Sequence, residues 1–254
     1  MDWDPATYGR FSDLRLRPAL DLLAQVSALP DGPVCDLGCG AGAVGPVLRA
    51  RFADRDLYGL DTSPAMLAKA DATGAYDTLT EADIADWLPE HRFALLFSNA
   101  ALHWLPNHDL LLPRLARLIA PGGALAVQVP HQNAALSHRT WVEQAETLFP
   151  DLINPTDGPG VLMPADYFDI LSPLGQVSIW ETEYLQVLTP VADGHPVRHF
   201  TESTFARPIL NALAPAEQNA LIAAYETEMA RAYPLRPDGS VLFPFRRLFF
   251  VLRT

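Results

Sequence analysis

The stretch Asp36-Leu37-Gly38-Cys39-Gly40-Ala41-Gly42-Ala43-Val44-Gly45 constrains this chain more than any other. A short apolar run, Pro33-Val34-Cys35, precedes it, and a helix-like pattern of Val44, Val47, Leu48, Arg51 and Phe52 follows. A strand that ends in a glycine-rich turn and feeds a helix brings backbone N–H groups close to a ligand, because glycine has no side chain in the way. The segment predicts a nucleotide-type cofactor site.

The remaining pattern gives that turn a scaffold. Leu14, Leu20, Leu22, Leu23 and Val26 form a helical stripe ahead of the first strand, Val34–Leu37. Strands are predicted at Leu57–Leu60, Tyr76–Leu79, Phe93–Phe97 and Ala124–Val129, with helices between them. Ser63-Pro64 reads as a helix N-cap followed by proline at the first helical position. A helix over Leu110–Ile119 is expected to break at Pro121-Gly122-Gly123. Alternating strands and helices at this spacing predict an α/β fold, a doubly wound and mostly parallel sheet. Beyond residue 130 the order changes to helix, loop, helix (Ala165–Leu174), strand (Gln176–Leu188), helices and a final strand (Val241–Leu252). The expected organisation is a core over 1–130, a helical lid segment over 131–163, and a core helix and strand over 164–189. A second lid segment over 190–237 and a final core strand over 238–254 complete seven strands.

Composition narrows the partners. The chain has 254 residues, 49% of them hydrophobic, enough for one substantial α/β core. Its formal net charge is −12 and its basic residues are scattered, so the cationic footprint that a nucleic-acid partner requires is missing. No window reaches the ~18 apolar residues of a membrane span. Met1-Asp2-Trp3-Asp4 offers neither the basic start nor the apolar core of a secretion signal, so a cytoplasmic location is expected. Cys35 and Cys39 are the only cysteines and read as small apolar residues beside a tight turn, with no metal expected. Lys69 is the only lysine; every other cation is arginine, which suits a bidentate grip on carboxylates.

Two cofactors compete for the turn. Gly40-x-Gly42-x-x-Gly45 satisfies the dinucleotide fingerprint, and Asp61 lies about 20 residues on, where a ribose-binding acid belongs. That reading would make the chain a nicotinamide-dependent oxidoreductase. Asp36, two residues before Gly38, opposes it, because a carboxylate under the turn repels a pyrophosphate in a partly desolvated site. A cofactor with a positive end and no phosphate fits better, and S-adenosylmethionine carries a sulfonium and an ammonium.

Over roughly residues 30–130 the sequence resembles the class I S-adenosylmethionine-dependent methyltransferases. The likeness rests on Asp36–Gly42, on Gly59-Leu60-Asp61-Thr62-Ser63-Pro64-Ala65-Met66-Leu67, on Glu81-Ala82-Asp83-Ile84, and on Pro121-Gly122-Gly123 before the fifth strand. A narrower resemblance reaches both ends of the chain. Asp2-Trp3-Asp4-Pro5-x-x-Tyr8, Phe11, Arg15-x-Arg17-Pro18, Asn99-Ala100-Ala101-Leu102-His103-Trp104-Leu105-Pro106 and Arg247-Leu248-Phe249-x-Val251 look like the trans-aconitate 2-methyltransferase family. Those enzymes methylate one carboxylate of a small tricarboxylic acid.

The resemblance implies a Rossmann-like methyltransferase fold with S-adenosylmethionine along the carboxyl edge of the sheet. Asp36, Gly38, Gly40 and Gly42 would form the turn beneath it. Asp61, with Thr62 beside it, would accept the ribose hydroxyls. Asp83 would accept from the adenine amino group, with the Ile84 backbone nearby and Met66 and Trp87 against the ring. Asn99 would face the cofactor, and Tyr8 and Arg17 its methionine end. The expected partner is a small carboxylic acid, with Arg15, His103, Trp104, His131, Arg246 and Arg247 as candidate contacts. A carboxylate is already ionised at neutral pH, its reference pKa being about 4, so no catalytic acid or base is expected. A phenol or amine acceptor, the alternative within the fold, would need a base, and His103 is the nearest candidate.

Overall fold

Continuous apolar runs become the centre of the sheet. In the computed structural model, which describes residues 12–150 and 160–254, β1 (Val34–Leu37) is buried throughout, and β4 (Phe93–Asn99) is buried as far as Ser98. Strands covered on both faces need apolar side chains on both, which is why these runs do not alternate. β1 pairs in parallel with β2 (Leu57–Asp61) and with β4. Parallel pairing extends outward to β3 (Thr78–Glu81) on one side and β5 (Ile119–Pro130) on the other. β7 (Val241–Arg253) runs antiparallel to β5, and β6 (Gln176–Leu188) completes the seven-stranded order β3-β2-β1-β4-β5-β7-β6. The doubly wound, mostly parallel sheet expected from the sequence is present.

Helices cover the sheet on the pattern their apolar faces dictate. α1 (Ser12–Ala24) packs against β5 and buries Leu22 and Leu23. Leu20, assigned to the same stripe from sequence, is exposed instead. α2 (Gly45–Arg51) and α3 (Pro64–Asp71) pack on β2. The Ser63 hydroxyl accepts from the Met66 N–H, so Ser63-Pro64 opens α3 as expected. α4 (His108–Ala116) and α6 (Pro164–Leu171) join a core cluster through Leu111, Leu112, Leu115, Tyr167 and Leu171, with Leu96, Leu125, Val127 and Phe250 of the sheet.

Some boundaries differ from the expectation: the third strand is Thr78–Glu81 rather than Tyr76–Leu79, the helix before the fifth strand is His108–Ala116, and the fifth strand starts early. Pro121-Gly122-Gly123 does not interrupt the approach to the fifth strand; β5 already starts at Ile119. Phe93 pairs with Ile119 and Leu95 with Ala124, so residues 120–123 oppose the single residue Ala94. Gly122, at φ +78°, takes up this bulge.

The chain divides into two compact units. Among the described residues, the first comprises 12–130, 160–182 and 247–254; the second comprises 131–150 and 183–246. The second contains α5 (Leu136–Leu148), α7 (Pro196–Glu202), α8 (Arg207–Asn211) and α9 (Pro215–Ala232). Its centre is Trp141, fully buried and stacked on Tyr225 at 3.8 Å between centroids. The Trp141 indole N–H donates to the Thr201 hydroxyl, and the Tyr225 hydroxyl donates to the Ser137 carbonyl. These contacts satisfy the polar edges of both rings, as burial requires. No helix among the described residues is long and apolar enough to cross a membrane.

Candidate active site

The glycine turn is anchored before it meets any ligand. The Gly38 and Cys39 N–H groups both donate to the Leu60 carbonyl, at 2.8 and 2.9 Å, which locks the turn after β1 onto the end of β2. A Cβ on Gly38 would lie 2.3 Å from the Ala101 Cβ, so the following loop approaches as closely as the missing side chain permits. Gly40 has φ +55° and nothing within 4 Å of its Cβ position, so its side of the turn faces open space. Gly42 packs against Ala70 of α3. A cradle of this kind suits a ligand that lies against backbone.

Carboxylates surround the cradle. Asp61, the last residue of β2, accepts from the Gly40 N–H through Oδ2 and from the Ser63 N–H through Oδ1, each at 2.9 Å. The first and second motifs are thereby tied through one side chain, whose remaining lone pairs can still take two ligand hydroxyls. Thr62 is exposed beside it, and Met66 is buried below. Asp83 is exposed, with Oδ1 accepting from the Ala85 N–H at 2.8 Å. Ile84 is buried, and Trp87 packs on Phe93 with centroids 5.4 Å apart.

Asp36 behaves differently from the simple charge argument. It is 2% exposed, and burial pushes its carboxyl up to about 7, although the Tyr76 hydroxyl donating at 2.7 Å works in the opposite direction. The neighbouring Asp61 charge raises it further. In the free protein this group is poised between acid and carboxylate at neutral pH, and a cationic ligand would hold it ionised. The donor set therefore fits S-adenosylmethionine: an open glycine cradle, a carboxylate for hydroxyls and a buried acid for positive charge. Cys35 and Cys39 are both buried and unlinked, and burial pushes both thiols up, in keeping with their reading as small apolar residues.

A second polar group lies further along the carboxyl edge. Asn99 ends β4 abreast of Gln128 in β5, and Pro130 ends β5 abreast of Arg247 in β7. Arg247 is 3% exposed and its Nη1 donates to Gln128 Oε1 at 3.2 Å. His103, on the short helical turn Leu102–Trp104, is 6% exposed. Burial pulls its imidazole down to about 3, and the charge of Arg247, with His108, adds to the effect. His103 is therefore a neutral ring, with Trp104 tilted against it at 4.7 Å.

Several residues singled out from sequence lie elsewhere. β7 alternates, so Arg246 is exposed on the side of the strand opposite Arg247, in the second unit, 3.9 Å from Glu183. His131 is half-buried in that unit, its N–H donating to the Arg246 carbonyl. Arg17 is exposed on α1; Tyr8 and the Arg15 side chain lie outside the described residues.

Three contributors escaped the sequence reading. Tyr76 fills the space that Gly45 and Gly59 leave open and reaches Asp36. Arg114 of α4 donates to the Ile84 and Trp87 carbonyls and so fixes the loop after β3. Gln128 was legible in principle, as a lone amide within the apolar run Ala124–Val129.

Comparison with known proteins shows what the chain is similar to. Residues 35–127 match the methyltransferase domain family. The chain is 40% identical to the trans-aconitate 2-methyltransferase of Methylobacterium radiotolerans, over 99% of this chain and 98% of that one. It is 42% identical to the enzyme of that name from Methylobacterium nodulans, with the same coverage. Among solved structures, phosphoethanolamine N-methyltransferase 2 of Haemonchus contortus, in complex with S-adenosyl-L-methionine, has the same fold. The TM-score is 0.54 at 16% identity, covering 93% of this chain and 52% of that one.

Proposed function

The chain belongs to the trans-aconitate 2-methyltransferase family of S-adenosylmethionine-dependent enzymes, and we propose that it forms a monomethyl ester of trans-aconitate or a closely related tricarboxylate. When bound, S-adenosylmethionine supplies an electrophilic methyl group carried on a sulfonium. The residues proposed to hold it are Asp36, Gly38, Gly40, Gly42, Asp61, Thr62, Met66, Asp83, Ile84 and Asn99, with Tyr8 and Arg17 at its methionine end.

The acceptor determines what else the protein must provide. A carboxylate is its own nucleophile at neutral pH. The chain then has only to orient it in line with the methyl group and exclude water. Orientation of this kind can contribute up to roughly 7–11 kcal/mol. His103 supports the reading: an imidazole that protonates only near pH 3 is a poor general base, which an unactivated phenol or a protonated amine would require.

The observation that carries the acceptor assignment is Arg247. Its guanidinium is buried at the carboxyl edge beside a neutral imidazole and a neutral amide. A fork of N–H donors there can take a non-reacting carboxylate in a charge-assisted bidentate contact. Trp104 and His103 would wall the same acceptor, and Arg15 is proposed to meet it from its own segment.

Incubation with S-adenosylmethionine and a panel of di- and tricarboxylates, phenols and amines tests this, with products followed by mass. A methyl ester of trans-aconitate formed in preference to any ether or methylamine is the expected result. Equal turnover on uncharged phenols would overturn the carboxylate reading.

A further inference from the structure

We propose that Gln128 is a specificity-determining residue: its carboxamide presents Arg247 through Oε1 and offers its Nε2–H to the same non-reacting carboxylate of the acceptor. The inference rests on the reading of the acceptor as a carboxylic acid.

Gln128 is 0% exposed in a strand whose neighbours Leu125, Ala126, Val127 and Val129 are apolar. A buried amide in such a run is costly unless both of its ends are used. The orientation of the amide follows from its neighbour. Arginine has donors only, so the group accepting from Nη1 at 3.2 Å has to be the carbonyl oxygen of Gln128. Its Nε2 is consequently turned to the other side, where it is buried with no hydrogen-bond partner among the described residues. His103 Nδ1 is likewise buried without one, on a ring that burial keeps neutral.

The Gln128 Nε2–H, joined by His103 Nδ1 in the tautomer that carries its proton there, matches the needs of a carboxylate beside a guanidinium, since a carboxylate can accept up to four hydrogen bonds. Arg247 would supply the charge. Gln128 would supply direction, distinguishing an acid whose carboxylate reaches this corner from one whose carboxylate does not. The competing use of Nε2 is internal. Asn99, abreast of Gln128 in β4, has a buried Oδ1 with no partner, and a bond between the two amides would make Gln128 purely structural.

The experiment compares kcat/KM for trans-aconitate with that for two dicarboxylates lacking one of its carboxyl groups, glutaconate and itaconate. It uses wild-type protein, Gln128→Leu and Gln128→Glu, with S-adenosylhomocysteine affinity measured on each. In Gln128→Leu, the preference for trans-aconitate over at least one dicarboxylate is expected to collapse by roughly tenfold or more, through KM, as loss of a donor to a charged acceptor implies. Gln128→Glu keeps the size and can still hold Arg247, but replaces the N–H with an anionic oxygen, and is expected to lose trans-aconitate more severely. S-adenosylhomocysteine should bind all three proteins equally. An unchanged preference, or equal losses on all three acids, would overturn the inference while leaving the carboxylate reading standing. Loss of S-adenosylhomocysteine binding in both variants would assign Gln128 to structure and overturn it too. Wild-type protein that esterifies none of these acids would overturn the underlying reading itself.

Discussion

Asp36 was legible in the sequence as an acid under a glycine turn, but its protonation was not. That depends on Tyr76, forty positions along, whose ring threads between two glycines. Because burial raises the folded-state carboxyl to about 7 against an ordinary 3.8, the folded protein holds a proton that the unfolded chain has released. The contribution of this group to stability is therefore full below about pH 3.8 and is lost as pH rises through about 7. A cationic ligand selects the ionised form, so its affinity should change in the opposite sense. S-adenosylhomocysteine, which keeps the ammonium, should bind about tenfold more weakly per pH unit below 7 and plateau above it. Tyr76→Phe keeps the ring but removes the O–H donation that lowers the Asp36 pKa, so the midpoint should move upward. The other titratable groups around Asp36 are Asp61, Cys35 and Cys39, and the buried thiols stay protonated across this range. Calorimetry between pH 5.5 and 8.5 would measure this; flat affinity in both proteins would contradict it.

At the scale of elements, strand identity was read well where burial on two faces demanded continuous apolar residues, as in β1 and β4. The start of β5 was misread because Pro-Gly-Gly is equally suited to a turn and to a bulge; only the pairing of Ile119 with Phe93 decides between them. The turn after β1 gives this level its own prediction. Gly38→Ala would drive a methyl group into Ala101 at a positive φ, and is expected to cost about 1–3 kcal/mol in stability as well as cofactor affinity. Gly40→Ala meets no atom within 4 Å, so only the left-handed backbone resists it, at about 1–2 kcal/mol. Its added carbon would occupy the space left for the ligand. Thermal unfolding and S-adenosylhomocysteine binding, measured together, should show Gly40→Ala losing at least as much affinity for a smaller loss of stability.

For the molecule as a whole, the sequence carried the strands of the sheet and the glycine turn after β1, since each is written in adjacent residues. The apolar neighbours Phe245, Leu248 and Phe249 marked Arg247 for burial, but the sequence did not carry the contrast in partners between Arg246 and Arg247. Strand alternation around β7 exposes the first beside Glu183 and buries the second beside Gln128 and His103. That contrast matters to the proposed function, in which a chain of net charge −12 takes a polyanionic acceptor. Long-range charge opposes the approach, so capture depends on local guanidinium donors. The most direct test is Arg247→Ala, assayed for kcat/KM on trans-aconitate and, in parallel, for S-adenosylhomocysteine affinity. The expected result is a fall of about thirtyfold or more in kcat/KM, as for one partner removed from a buried charge pair, with cofactor affinity within about twofold of wild type. An unchanged kcat/KM would contradict the account.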